Sequence, residues 1–227
     1  HQMLLNNQQV SSPQKRDFEE IEFQGVYGSY TITTADHLEV QRYRIAVLTC
    51  GIAFFIGTMH WLLIGPDWAW IWLMPTAIGL GLALKWIHIY VRPLHKALQF
   101  LWALGCIGIG ILFLNLGSKD LLSSIASRPI WTLAIGPLFA AMTGLGFKEF
   151  FCFRRPEAIG ITLLIPISLL GHLSGLINGP TVMVLISCSA FLLLILGIRK
   201  FGMDTAADIG DKSIFDYLEN QQKARNL

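Results

Sequence analysis

Long apolar stretches alternate with short polar ones along most of this chain. Six of the stretches hold about 20 residues each and are nearly free of charge, which is enough for an α-helix to cross a hydrocarbon core of about 30 Å. We predict spans at 43–64, 68–90, 95–116, 129–150, 157–177 and 180–199. The pattern therefore predicts an all-α polytopic membrane protein with six transmembrane helices in a domain over 31–200.

The residues before the first span are polar. Residues 1–30 are rich in Gln, Asn, Ser and charge, so we predict a disordered or weakly structured N-tail, in which FQGVYGSYTIT could form a short strand or hairpin. Asp36, with Glu39 three residues later, resembles a capping box and predicts the start of a helix that continues into the first span.

A polar tail over 201–227 follows the last span. Ile214, Phe215 and Leu218 lie at helical spacing within it. This spacing is compatible with a short amphipathic helix and equally with a solvated polar tail.

Charge fixes the orientation of the chain. Only 14% of its residues are charged, and fifteen of the seventeen Lys and Arg residues lie on one side of the predicted spans. Lys119 and Arg128 lie on the other side. Cationic loops are retained in the cytoplasm during insertion, so both termini are predicted to be cytoplasmic, or stromal in a plastid. The net charge of +2 gives no indication of nucleic-acid binding.

Two histidines lie inside predicted spans, His60 in the first and His172 in the fifth. Their depths differ by only about 3 Å at 1.5 Å per residue, so they could ligate a haem or a chlorophyll magnesium, or form a proton path. The alternative is that each neutral imidazole bonds to a neighbouring helix. No spacing that indicates a metal site supports ligation, and we predict no metal site.

The predicted cytoplasmic ends of the spans carry a group of polar residues that could form a binding surface for anionic lipid or an acidic partner. Its members are Lys85, His88, Arg92, His95, Lys96, Lys148, Glu149, Arg154 and Arg155. Glu149 lies among phenylalanines and could pair with Lys85 or Arg154, or act as a general acid or base. Solvated ion pairs and cations retained by the positive-inside rule are the simpler interpretation.

A weak repeat links the two longer cytoplasmic loops. GLGLALKWIHIYVRP at 79–93 and GLGFKEFFCFRRP at 144–156 share Gly-Leu-Gly, Lys, Arg and Pro in the same order. Duplication of a helical hairpin would explain the match, with Lys85 and Lys148 extending to the interface. Coincidence explains it equally well, because such residues are common at the ends of spans.

The string TTADHLEVQRYRIAVLT together with GLGFKEFFCFRRPEA resembles an uncharacterised family of integral membrane proteins found in cyanobacteria and in algal plastid genomes. The resemblance covers about residues 31–200. The resemblance implies a photosynthetic cell, with the thylakoid or plasma membrane as the location. It does not imply any particular activity.

Three functions remain open. The resemblance and the basic face favour a non-catalytic factor that assembles, stabilises or docks to a photosynthetic membrane complex. A small transporter or channel is the first alternative, and a haem- or pigment-binding protein is the second. No H-E-x-x-H, G-x-S-x-G or P-loop spacing is present, so we predict that the protein is not an enzyme.

Overall fold

The structure, a computed structural model, describes residues 22–225. Six helices in this part are long and apolar enough to cross a membrane, which confirms the predicted fold class. They are α1 Thr34–Leu63, α2 Leu73–Trp86, α3 Arg92–Ser127, α4 Thr132–Phe153, α5 Pro156–Leu173 and α6 Gly179–Lys200. Single 3-10 turns at Ala69–Trp72 and Pro129–Trp131 precede α2 and α4. Away from the helix ends and the internal prolines, the backbone polar groups pair within each helix, as the bilayer requires.

The six helices form a ring. α1 packs along α2 on one side and α6 on the other, α5 packs on α6 and α4, and α4 packs on α3. Contacts between α2 and α3 close the ring, helped by Trp102 Nε1, which donates to the Ala77 carbonyl at 2.7 Å. Close approach depends on glycine at the main contacts: a Cβ on Gly79 would lie 2.8 Å from Cys50 N, and one on Gly197 would lie 2.9 Å from Leu48 Cα.

The third span ends where the sequence predicts, but the chain does not continue as a loop. Gly117 has φ 76° and ψ 169°, which breaks α3 into a long segment and a short outer helix over 118–127. Leu121, Leu122 and Ile125 are buried against the bundle, so this short helix covers part of its outer end. The predicted loop between the third and fourth spans is therefore wrong in this stretch.

The first helix begins earlier than predicted. Thr33 is the N-cap: its hydroxyl accepts from Asp36 N at 3.3 Å, and Thr33 N donates to the Asp36 carboxylate at 2.8 Å. The capping box thus pairs Thr33 with Asp36 and not Asp36 with Glu39, because the hydroxyl and the carboxylate must face each other across the first turn.

The polar tails fold together on the cytoplasmic side. Strands β1 Glu22–Gly25 and β2 Gly28–Thr31 form an antiparallel hairpin, and helices α7 Thr205–Ile209 and α8 Ser213–Arg225 follow α6. Tyr27 stacks on Tyr217 with ring centroids 4.1 Å apart. We call these four elements the cytosolic cap. Of the predicted N-tail, residues 1–21 lie outside the described residues.

Candidate functional site

Six polar side chains are buried together at the cytoplasmic end of the bundle. They come from four helices that are far apart in the sequence: Tyr43 and Arg44 from α1, Lys148 and Glu149 from α4, Lys200 from α6, and Asp208 from α7. We call this group the ionic cluster. All six residues are buried, and Lys200 and Glu149 have no exposed surface at all.

Lys200 is the centre of the ionic cluster. Its Nζ donates to Glu149 Oε2 at 2.8 Å and to Asp208 Oδ1 at 2.7 Å, so one ammonium joins α4 to α7. Charged hydrogen bonds of this length are about twice as strong as neutral ones. A buried ammonium without such partners would carry a large desolvation cost.

Two rings enclose the ammonium groups. Lys148 Nζ lies 4.8 Å and Lys200 Nζ 4.9 Å from the centroid of the Phe153 ring, and each lies 5.2 Å from the centroid of the Tyr43 ring. At these distances the ring quadrupole attracts a cation, and more strongly where water is excluded. The Tyr43 hydroxyl also donates to Glu149 Oε1 at 2.5 Å, so Tyr43 contributes both a ring face and a hydrogen bond.

Arg44 fixes the short helix α7. Its Nε donates to Asp208 Oδ2 at 2.8 Å, and its Nη2 donates to the Asp204 carbonyl at 3.2 Å. Asp208 therefore accepts from cations on α1 and on α6. Since the ionic cluster holds three cations and two carboxylates, it has one formal positive charge in excess, and the two aromatic ring faces attract its ammonium groups.

The predicted binding surface is wrong for two of its members. Lys148 is 6% exposed and Glu149 is 0% exposed, because both face the inside of the ring of helices. Glu149 pairs with Lys148 and Lys200 and not with Lys85 or Arg154. The two lysines that the repeat aligns, Lys85 and Lys148, thus differ in burial. Lys148 is buried, whereas Lys85 is exposed, with its Nζ 5.6 Å from the centroid of the Trp86 ring.

The other members of the predicted surface lie around the loop that joins α2 to α3 and the loop that joins α4 to α5. Arg92 Nη1 donates to Gln222 Oε1 on α8 at 3.0 Å, and His95 Nε2 donates to the Leu84 carbonyl at 2.6 Å. His88 Nε2 lies 3.6 Å from Glu39 Oε2. Burial lowers the pKa of His88, and Glu39 opposes that shift. Three further members also lie there, exposed or half-buried: Lys96, Arg154 and Arg155.

Sequence reasoning missed four members of the ionic cluster: Tyr43, Arg44, Lys200 and Asp208. Arg44 and Lys200 were counted only as cations retained on the cytoplasmic side. Lys200 and Glu149 are 51 residues apart, so no local spacing indicates that they meet.

A cavity of about 250 Å³ occupies the opposite end of the bundle. Each of the six long helices contributes to its wall, α3 through the short outer helix after Gly117 and the other five through their outer halves. Its lining includes Ala53, Phe54, Trp61, Trp72, Thr76, Ile125, Ala126, Thr132, Phe139, Leu169, His172, Gly179 and Ile186. Ala126 and Gly179 are exposed, so the cavity reaches the outer surface of the protein. No charged side chain of the described residues lines it.

Most hydroxyls in the bundle are satisfied by their own helix, but Thr132 is not. Thr58 Oγ1 donates to the Phe54 carbonyl at 3.1 Å, and Thr76 Oγ1 donates to the Trp72 carbonyl at 2.6 Å. Thr132 is the first residue of α4 and directly follows the 3-10 turn, whose Pro129 carbonyl accepts from Thr132 N. Its Oγ1 is buried in the cavity wall without a partner among the described residues.

The two histidines of the spans lie at this outer end. His172 Nε2 donates to the Ile125 carbonyl at 2.8 Å, and His60 Nδ1 accepts from Trp72 Nε1 at 3.2 Å. Because an indole N–H only donates, Nδ1 of His60 is the acceptor in this bond, and because a carbonyl only accepts, Nε2 of His172 is the donor. His172 lines the cavity, and His60 is absent from its lining. The structure therefore pairs each imidazole with its neighbours, while ligation of a haem or chlorophyll by either stays a prediction.

A family model described as an uncharacterized integral membrane protein (DUF2301) matches residues 82–217. The chain belongs to the DUF2301 family. An uncharacterized protein of Haemophilus influenzae, similar along most of its length, is 31% identical over 184 residues, which cover 78% of this chain and 90% of that relative. No solved structure matches the chain.

The Haemophilus relative corrects one expectation. The DUF2301 family is not restricted to cyanobacteria and plastids, so membership does not imply a photosynthetic cell or a thylakoid location. What membership establishes is an integral membrane protein in contact with the lipid bilayer. Four members of the ionic cluster lie within the matched range, namely Lys148, Glu149, Lys200 and Asp208, whereas Tyr43 and Arg44 precede it.

Proposed function

We propose that this protein is a non-catalytic membrane protein that binds a small apolar molecule in the outer cavity and acts as a carrier for it. The observation that supports the proposal is the cavity of about 250 Å³ whose wall takes residues from all six long helices. Ligand pockets between helices of a bundle are of this kind, apolar with a few polar groups. A small transporter is thus the function that the geometry supports best.

The size of the cavity supports a bound occupant. The cavity of about 250 Å³ has room for a small molecule, and its wall is formed mainly by apolar side chains. An apolar ligand would gain packing contacts with this wall.

The two ends of the bundle differ as the two sides of a carrier would. The outer cavity reaches the surface at Ala126 and Gly179, while the ionic cluster fills the cytoplasmic end with paired charges. A ligand could therefore enter from the outer side in this conformation. Release to the cytoplasm would require the pairs of Lys200 to separate.

Two substitutions of the same kind test the proposal. Ala53 is buried in the cavity wall, and Ala140 is exposed on the outside of α4. The native protein and the Ala53→Leu and Ala140→Leu variants would be purified from their own membranes in mild detergent, and bound organic molecules would be extracted and weighed by mass spectrometry. We expect an apolar compound to remain with the native protein and with Ala140→Leu and to be lost from Ala53→Leu. Equal amounts in all three samples would contradict the proposal.

The visible spectrum of the same samples tests pigment or haem binding. A Soret band or pigment absorption that His60→Ala or His172→Ala removes would support cofactor ligation. A colourless native protein would exclude it.

A second candidate is a docking role, favoured by the cytosolic cap. At the tip of its hairpin, Val26 is 79% exposed and Tyr27 is 54% exposed. These two side chains form a small apolar surface that a membrane complex could contact. In a photosynthetic cell the partner would be a photosynthetic complex of the thylakoid or plasma membrane. Native gels of solubilised membranes would show a large complex that Val26→Glu dissociates and Val91→Glu, an exposed control on the same side, does not. Migration of the native protein as a free protein would contradict this role.

A further inference from the structure

We infer that the outer cavity recognises an apolar molecule with a hydroxyl group, an alcohol-headed lipid or long-chain alcohol, and this inference rests on the proposed binding function. The two polar groups that carry it are Thr132 Oγ1 and His172 Nδ1. Both residues line the cavity, and α5 contacts the 3-10 turn that leads into Thr132.

The hydrogen-bonding capacity of each group is defined. Thr132 Oγ1 is buried without a partner among the described residues, so it can donate one hydrogen bond and also accept. His172 uses its Nε2–H on the Ile125 carbonyl, so in the neutral imidazole Nδ1 is an acceptor. The pair then offers one donor and one acceptor.

Among simple head groups, the hydroxyl matches this pair best. An alcohol donates its proton to His172 Nδ1 and accepts from Thr132 Oγ1, so both protein groups gain a partner. An aldehyde, ketone or ester oxygen can only accept and would leave Nδ1 unsatisfied. A carboxylate would enter a wall with no lysine or arginine among its described residues, which carries the cost of an unpaired buried charge.

The position of the pair sets the direction of the ligand. Thr132 begins α4, and His172 lies in the last turn of α5, so both are at the outer end of the cavity. Phe54 and Phe139, whose ring centroids are 5.5 Å apart, line the cavity further from that end. The hydroxyl is therefore placed near the outer interface, with the apolar chain extending between the helices.

Four probes with the same chain length isolate the head group: decane, 1-decanol, decanal and sodium decanoate. Apparent dissociation constants would come from the rise of the unfolding temperature of the purified protein with probe concentration. We expect 1-decanol to bind about 10-fold more tightly than decane and decanal, which is the effect of one or two net hydrogen bonds, and decanoate to bind most weakly.

Variants of one position identify the group responsible. Thr132→Val should reduce the preference for 1-decanol over decane from about 10-fold to about 3-fold, because the bond to His172 Nδ1 remains, while Thr132→Ser should keep the full preference. Thr143→Val is the matched control, because Thr143 is on the same helix and its hydroxyl already donates to the Phe139 carbonyl at 2.9 Å. Elution as a single folded species would be required of every variant.

The possible results separate the two proposals. Equal binding of decane and 1-decanol to the native protein, or tightest binding of decanoate or decanal, overturns the hydroxyl inference and leaves the cavity function standing. Retention of the full preference in Thr132→Val also overturns it. If no probe stabilises the native protein more than it stabilises Ala53→Leu, the proposed binding function fails, and the inference fails with it.

Discussion

At the cytoplasmic end of the bundle, the carboxylates of Glu149 and Asp208 are buried and each accepts from at least two donors. At the outer end, Thr132 Oγ1 and His60 Nε2 are equally buried and have no partner in the described part of the chain. At the first end, both carboxylates of the ionic cluster are therefore paired. At the second end both atoms are unpaired among the described residues, and of these two residues Thr132 lines the cavity while His60 does not.

This contrast indicates which end holds the helices together and which end is free to bind. Paired charges in the interior hold several helices together at once, since Lys200 on α6 bonds to groups on α4 and α7. Removing one partner exposes the others to the full cost of burial. An unpartnered buried hydroxyl makes no such stabilising contact. Removing it should therefore leave the free energy of unfolding unchanged or raise it, whereas removing a paired group should lower it.

The largest expected effect comes from Lys200→Met, which keeps the length of the side chain and removes its charge. We expect a loss of about 3–5 kcal/mol in the free energy of unfolding, because Glu149 and Asp208 would lose their shared ammonium. Thermal or SDS-induced unfolding in mild detergent measures it. Lys223→Met is the control, because Lys223 is exposed on α8 and pairs only with Glu219. Similar losses in both variants would show that the ionic cluster does not stabilise the bundle.

The next effect in size comes from Tyr43→Phe. This change keeps the ring beside Lys148 and Lys200 and removes the hydroxyl that donates to Glu149. We expect a loss of about 1.5–3 kcal/mol, the value of a hydrogen bond to a charged group. Tyr217→Phe removes the hydroxyl of an exposed tyrosine and should change stability by less than about 0.5 kcal/mol. Equal values for the two variants would contradict the role of this bond.

Thr132→Val should change the free energy of unfolding in the opposite direction. It replaces an unpartnered buried hydroxyl with a methyl group of the same shape, so we expect the ligand-free protein to be unchanged or more stable by up to about 1 kcal/mol. Thr58→Val, in the same cavity wall, removes a hydroxyl that is already bonded and should lower stability slightly. A loss above about 1 kcal/mol in Thr132→Val would mean that the contrast between the two ends is wrong.

The smallest effect is expected in the cytosolic cap and depends on pH. Asp211 accepts from Val26 N at 2.7 Å and from Ser213 N at 3.0 Å, and hydrogen bonds led by the one from the Ser213 hydroxyl lower its pKa. Because the pKa of Asp211 is lower in the folded than in the unfolded protein, the ionised carboxylate stabilises the fold at a pH above its unfolded pKa. This stability is lost as the pH falls through the pKa of the folded state. Hydrogen exchange of the hairpin amides should therefore accelerate below about pH 4, relative to the intrinsic rate. In Asp211→Asn the exchange should already be faster at neutral pH and lose this pH dependence.

The spans and the helical class follow from the sequence because apolar length and charge bias are local properties. The same locality explains what was missed. Lys148 and Glu149 look like a solvated pair in a cytoplasmic loop, and only the packing of α1 and α6 against α4 places them inside the protein. Asp208 lies in a tail whose helix α7 is too short to give a periodic signal.

The outer end was also only partly predictable. Leu121, Leu122 and Ile125 carry a helical spacing that indicates the short helix after Gly117, so that element was within reach. The cavity could not be predicted, because its wall takes residues from six helices and no single stretch of the sequence indicates it. The depth of His60 and His172 was a sound inference, since both lie at that end, but their partners depend on the fold.

The position of Asp208 has a consequence for biosynthesis. This carboxylate lies beyond the last span, yet it forms ion pairs with Arg44 in the first helix and with Lys200 at the end of the sixth. While the ribosome is still making the chain, all six hydrophobic segments can enter the bilayer before the cations at their cytoplasmic ends are balanced. The bundle can complete its ion pairs only after translation has passed residue 208, so a chain released earlier would present the cell's membrane proteases with an incompletely closed protein.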